Sequence, residues 1–266
     1  MDCSRRDPRV IRSAAMALAA VAGLAMSTPA HADEAQAAKD LFKAMSDYMT
    51  SQEKIQFTYD ASLEIVTTDL QKVTFANSGA ATLARPDKLR FTRTGGFADF
   101  EMVADGKSVT AFGKNLNVFA KEAVEGSVDE VLDTLTFDYD VQAPAADLLS
   151  SNPYDRMMDN VDDAKDLGSG VIGGKECNHL AFRTKQTDWE IWIAQGDAPH
   201  PCRFTITSKM MAMAPSYTIQ ITSWKTGEDV PADDFSLSTG DAKEIKLEDM
   251  AEGFEMALEA AKGGAQ

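Results

Sequence analysis

An α+β fold, mainly β, is predicted by three observations. Apolar and polar residues alternate at period two through most of the chain. A short helical block interrupts that alternation near the middle, with strands on both sides. A stripe at helical spacing stands near each end.

The first 32 residues read as an export signal. Arg5, Arg6, Arg9 and Arg12 form a basic region, Ala14 to Met26 is a short apolar run, and Ala30-His31-Ala32 is a small-x-small cleavage pattern. The apolar run is too short to span a membrane. Cys3 precedes it, so it cannot be a lipid anchor and is lost on cleavage. Removing these 32 residues from 266 leaves 234, expected to form a single domain over 33–266 in the periplasm. Four Arg and two Asp go with them, so 26 basic and 42 acidic side chains become 22 and 40, a charge of −18. That excess of acid disfavours nucleic acid and anionic lipid surfaces as partners.

Ala35 to Gln52 carries Ala38, Leu41, Phe42, Met45, Tyr48 and Met49 on one stripe, which predicts an amphipathic helix covering a sheet. Ile55 to Ile65 alternates throughout, with Ile55, Phe57, Tyr59, Ala61, Leu63 and Ile65 on one face. Val73 to Leu83 repeats the pattern, although Asn77 and Gly79 interrupt its apolar face. Strands are predicted at Lys88 to Thr94, Phe97 to Ala104, Lys107 to Phe112 and Asn117 to Lys121, with a break at Gly95-Gly96 and a hairpin at Asp105-Gly106. This half reads as an antiparallel meander of about six strands.

Ser127 with Glu130 three residues on forms a capping box before Val128, Val131, Leu132 and Leu135. Pro144 opens a second short helix and Pro153 a third turn through Met158. Strands then return at 164–168, 170–173, 176–184, 188–194, 202–208 and 217–223, with a last short one at Asp233 to Leu237. Residues 247–262 make a C-terminal amphipathic helix.

Cys177 and Cys202 are the thiols left after cleavage. An even pair in an exported chain reads first as a disulfide, with two buried free thiols as the alternative. A register pairing Thr184 with Asp188 and Gln195 with Cys202 sets His179 opposite Ile193, Ala181 opposite Ile191, and Phe204 opposite Ile193. Cys177, His179 and Ala181 then share a face with Trp189, Ile191, Ile193, Cys202, Phe204 and Ile206, leaving Leu180, Phe182 and Trp192 on the other. In a flat sheet the two cysteines would lie about 10 Å apart, so bridging requires the middle strand to end near Ala194.

Several segments occur together in a family of predicted periplasmic proteins of unknown function, which the chain resembles from about Ala44 to Lys243. They are Arg85-Pro86-Asp87-Lys88-Leu89-Arg90, Asp105-Gly106-Lys107, Pro144-Ala145-Ala146-Asp147-Leu148-Leu149, and Cys177-x-His179-Leu180-Ala181-Phe182-Arg183. Trp189-x-Ile191-Trp192-Ile193, Ile206-Thr207-Ser208-Lys209, Tyr217 and Trp224 follow in order. One departure is Asn178, where many relatives carry a second His. That family is similar in turn to the periplasmic lipoprotein-carrier superfamily typified by LolA. The resemblance implies an unclosed antiparallel β half-barrel of about eleven strands with covering helices, and an apolar cavity between them suited to an acyl chain.

No catalytic constellation stands out. His179 and His200 read as sheet histidines rather than metal ligands, and no metal or cofactor is predicted. Asp159 to Asp166 lacks the Gly and Glu of a calcium loop. Ser51-x-x-Lys54 ends a helix instead of opening one, so it does not match a serine acylase. The expected function is a non-catalytic carrier holding a lipid, acyl chain or lipidated ligand; the alternative is an envelope protein-interaction or sensor module with no ligand. The expected lining comprises Phe57, Tyr59, Leu63, Phe75, Ile191 and Ile193 with Phe204, Ile206, Ile219 and Ile221. Met157 and Met158, with Met210, Met211 and Met213, are expected at its mouth, as adaptable apolar surface or as loop packing.

Overall fold

The computed structural model describes residues 30–95, 98–141 and 143–263. The export signal, apart from its last three residues, lies outside them, as do Gly96 and Phe97. Helix α1, Ala30–Ser51, begins at the expected cleavage site.

The strands form one 12-stranded sheet. The first meander is β1 Lys54–Val66, β2 Lys72–Ala84, β3 Lys88–Thr94, β4 Phe100–Asp105, β5 Ser108–Gly113 and β6 Val118–Ala123. The second is β7 Asp163–Ile172, β8 Lys175–Arg183, β9 Thr187–Ala194, β10 Pro201–Ser208 and β11 Ser216–Thr226. A two-residue β12, Lys243–Glu244, lies parallel to β6. The order β12-β6-β5-β4-β3-β2-β1-β11-β10-β9-β8-β7 leaves the sheet unclosed, with β12 and β7 at its edges. All other pairs are antiparallel, and β1 joins the meanders by pairing with β11 as well as β2.

That order explains the helices. The chain leaves β6 near one edge and must reach β7 at the other. It crosses one face of the sheet through α2 Val128–Phe137, a 3₁₀ turn Ala146–Leu149 and α3 Pro153–Met158. The capping box is present, with the Ser127 amide donating to the Glu130 carboxylate at 2.7 Å. All four predicted core residues of α2 are buried. α1 buries Ala38, Phe42, Met45 and Met49 to 1% exposure or less, the stripe that its spacing demands. It lies mainly against β7 and β8. The Tyr154 amide donates to Ser46 Oγ at 3.0 Å, tying α3 to α1. One hydrophobic cluster joins these helices to Tyr59, Leu83, Val109, Leu180, Ile191 and Phe204 of the sheet.

Four expectations are corrected. The strands at 164–168 and 170–173 are one strand, β7, with a bulge between Asp166 and Ser169. Gly168 there has φ +85°, open to glycine at no steric cost, and its amide donates to Asp166 Oδ1. Asp233 to Leu237 is not a strand. Asp233 and Asp234 accept from the amides of Phe235 and Ser236, and Phe235 has φ +52°, so side chains take the donors that a ladder needs. The segment packs on the far face of the sheet, where Arg90 donates to both oxygens of Asp233 at 2.6 and 2.9 Å.

The third correction concerns β8 and β9. Their loop has two residues, Lys185 and Gln186, closed by the Thr184 amide donating to Thr187 O at 2.8 Å. Arg183 therefore faces Asp188, and Leu180 instead of Ala181 faces Ile191. A slip of one residue flips a whole strand. Cys177, His179 and Ala181 thus leave the helix-covered face, and Leu180 and Phe182 take their place. The fourth concerns β9 and β10. Phe204 pairs with Ile191 and Ile206 with Trp189, two residues from the expected register and therefore on the expected face. A bulge between Pro201 and Arg203 shifts the pairing by one residue within this pair of strands.

The same bulge serves the cysteines. β9 ends at Ala194, as the bridge requires, and Cys177 and Cys202 close over that end with Cα atoms 6.9 Å apart. They form a disulfide in a small cluster of their own with Ala194, Ile172 and Trp192, on the face away from α1.

Candidate functional site

The helix-covered face of the sheet is where the expected lining residues gather. Phe57, Tyr59, Ile191, Ile193, Phe204 and Ile219 are all buried, at 9% exposure or less. Leu63, Phe75, Ile206 and Ile221 are half-buried. Register explains the rows. Phe75, Leu63, Tyr217, Ile206 and Trp189 are successive cross-strand partners, as are Ala61, Ile219, Phe204 and Ile191. Period-two alternation puts both rows on one face.

Met157 and Met158 pack against the main cluster from α3. Met210, Met211 and Met213 stand at 77%, 47% and 52% exposure in the connection from β10 to β11, apart from that cluster. Met157 and Met158 are thus half-buried on α3, and the other three are exposed in their loop.

Two hollows border this region. A cleft of ≈ 370 Å³ lies between Leu41 and Ala44 of α1 and the end of the sheet at Asn178, Ile193, Ala194, Gln195, Gly196 and Pro199. A smaller one of ≈ 140 Å³ sits on the β7–β9 side, lined by Phe182 and Trp189 with charged neighbours such as Asp163 and Arg183. Only Ile193 of the expected lining borders either one.

Polar groups on the covered face escaped the sequence reading. Arg93 on β3 is 8% exposed and Asn77 on β2 is 6% exposed. Burial lowers the Arg93 pKa below its ordinary value, and it raises those of Tyr59 and Tyr217. Tyr59 reaches across β2 to donate to Thr92 O at 2.9 Å. Gly79 makes that possible, because a Cβ there would stand 2.5 Å from the Tyr59 hydroxyl. Neither side-chain polar atom of Asn77 has a hydrogen-bond partner. An unmet buried polar group costs ~1–3 kcal/mol. The interruption at Asn77 and Gly79 in an alternating strand was the available signal.

His179 and His200 are each held in a ring stack. His179 stacks on Trp192 at 4.0 Å between ring centroids and meets Glu190 at 2.7 Å, on the face away from α1. His200 is buried and stacks on Trp224 at 4.9 Å. Its Nδ1 lies 2.7 Å from Ala198 O and its Nε2 3.1 Å from Lys175 Nζ, which assigns the proton to Nδ1. Burial first, with Lys175 adding to it, pushes the pKa below 6.5. The unfolded chain then binds a proton more readily than the folded one. Stability from this group is full above about pH 6.5 and falls as pH drops from there toward the folded value. Urea unfolding between pH 7.5 and 5 is expected to show declining stability that His200→Gln flattens; an unchanged slope in the variant would refute the assignment.

Among the described residues no group of three or more His, Cys, Asp or Glu is placed to hold a metal ion, and no helix is long and apolar enough to cross a membrane.

Comparison with known families places the chain. Residues 38–248 match the model of predicted periplasmic proteins known as DUF2092. The chain belongs to this family. The resemblance carried by Cys177 to Arg183 and Trp189 to Ile193 is thereby borne out. No curated protein matches the DUF2092 chain. Solved structures similar to it include an uncharacterised conserved protein of Thermus thermophilus, 12% identical, with a TM-score of 0.48 over 79% of this chain and 99% of the other. The lipoprotein LppX of Mycobacterium tuberculosis is 15% identical, with a TM-score of 0.43 over 74% and 99%. A LolA-superfamily protein of Nitrosomonas europaea is 9% identical, with a TM-score of 0.36 over 75% and 97%.

Proposed function

We propose that this DUF2092 protein is exported by a cleaved signal peptide, folds as a single domain in the periplasm, and carries a lipid or acyl chain without covalent chemistry. The ligand would lie between the covered face of the sheet and the helices. The observation that supports this most is the way that face is covered. A broad apolar surface spanning β1, β2 and β9–β11 is closed by separate helices, and a cleft runs beside α1. Helices linked by loops can part without breaking the ladder of the sheet, whose hydrogen bonds run from strand to strand, although the Val128 amide at the start of α2 donates to Pro86 O at 2.9 Å. A second sheet would not open so readily.

Native mass spectrometry of protein purified from its own envelope, with lipid extraction of the same sample, tests this reading. Bound mass that extracts as lipid is the expected result. A clean apo mass that takes up no added acyl chain would overturn the carrier and favour a protein-interaction module.

A further inference from the structure

The connection from β10 to β11 places three thioethers within four residues, at Met210, Met211 and Met213. All three are exposed, and none packs into either hydrophobic cluster. Methionine is ordinarily a core filler, so three left together in solvent forgo the burial that their side chains would otherwise gain.

The loop that carries them is held at its neck and along one side. The Ser208 amide donates to Pro215 O at 3.0 Å, and the Ala214 amide donates to Met211 O at 3.1 Å, which closes a turn inside the loop. The Lys209 amide donates to Gln186 O at 2.9 Å and so fastens the loop to the β8–β9 hairpin. The Lys209 ammonium donates to Thr184 O and Asp188 on that hairpin, so its charge is met by a carboxylate. Three residues of chain span at most about 11 Å, which bounds the distance between the Met210 and Met213 Cα atoms. Three rotatable bonds let each methionine turn its sulfur from such positions toward one centre.

A thioether is a neutral, soft donor. It suits a soft monovalent cation such as Cu(I), whereas hard divalent ions take carboxylate and carbonyl oxygens. In an oxidising compartment thiols pass into disulfides, as Cys177 and Cys202 do here, and methionine sulfur remains as the soft ligand. Among the described residues no group of three or more His, Cys, Asp or Glu is placed to compete for the ion. The net charge of −16 favours a cation over an anion as the partner of an otherwise uncharged loop.

We propose that Met210, Met211 and Met213 form a trigonal thioether site for Cu(I). The site lies outside the covered face and does not depend on the carrier reading.

The mature apo protein is titrated with Ag(I), an air-stable probe of the same coordination, and anaerobically with Cu(I) against a chromophoric Cu(I) chelator. Wild type should take up a single equivalent of either ion. Its affinity should stay flat between about pH 5.5 and 7.5, because a thioether has no proton to lose on binding. X-ray absorption at the copper edge should show a first shell of sulfur alone. Each single Met→Leu substitution should weaken binding about tenfold or more, and Met210→Leu/Met211→Leu/Met213→Leu should abolish it. The apo triple variant should melt with wild type, since the three side chains are exposed. Peroxide treatment, which converts thioether to sulfoxide, should reproduce the loss. No uptake by wild type, nitrogen or oxygen in the first shell, or undiminished binding by the triple variant overturns the site. Leucine keeps the loop apolar, so wild type that takes up no metal while both proteins bind zwitterionic vesicles would overturn it in favour of a lipid-docking loop.

Discussion

Replacing Phe42 with alanine is expected to destabilise the protein by ~3–5 kcal/mol, the range for removing a fully buried aromatic side chain. Phe42 is 0% exposed. Its ring lies 5.4 Å from that of Trp189, 5.6 Å from Phe182 and 6.0 Å from Tyr154, so it joins α1 to β8, β9 and α3 at one point. Little can collapse into the space it leaves, because Phe182 and Trp189 are already stacked on each other at 4.0 Å. Urea denaturation followed by far-UV circular dichroism measures the loss. A change under ~1 kcal/mol would mean that α1 is not anchored through this ring.

Removing the disulfide in a Cys177→Ser/Cys202→Ser variant is expected to cost ~3 kcal/mol, from the chain entropy of a loop whose ends are 25 residues apart. The two sulfurs sit in a cluster separate from the main core. The variant should therefore keep its fold and its apolar covered face while melting lower, and reduction of the wild type should reproduce the shift. Alkylation without reduction supplies a direct check: two labelled thiols in the native protein would rule the bridge out. A variant as stable as wild type would remove the bridge as a source of stability.

The covered face was largely legible from alternation, and the reason is physical. A strand buried on one side must place apolar groups at every second residue, so Phe57, Tyr59, Phe204 and Ile219 declare their face without reference to any partner. β8 was not legible in that way. Both of its faces carry two apolar residues and one polar one, Cys177 and Ala181 with His179 against Leu180 and Phe182 with Asn178, so alternation alone did not assign the faces. The two-residue loop at Lys185-Gln186 decided the matter. Asn77 and Arg93 were hidden for a related cause. A single polar residue in an apolar row looks like an interruption until the neighbouring strand brings a second one beside it.

Local sequence determined most elements of this DUF2092 chain: ten of its strands, the capping box, and the buried stripes of α1 and α2. These depend on contacts within a few residues, where periodicity and side-chain type act directly. Tertiary structure alone decided that β1 joins the meanders through β11, that Leu180 rather than His179 faces α1, and that Arg93 stands beside Asn77. Each of those depends on register between segments far apart in the chain. Register is set by loop length and bulges, and one residue either way turns a strand over.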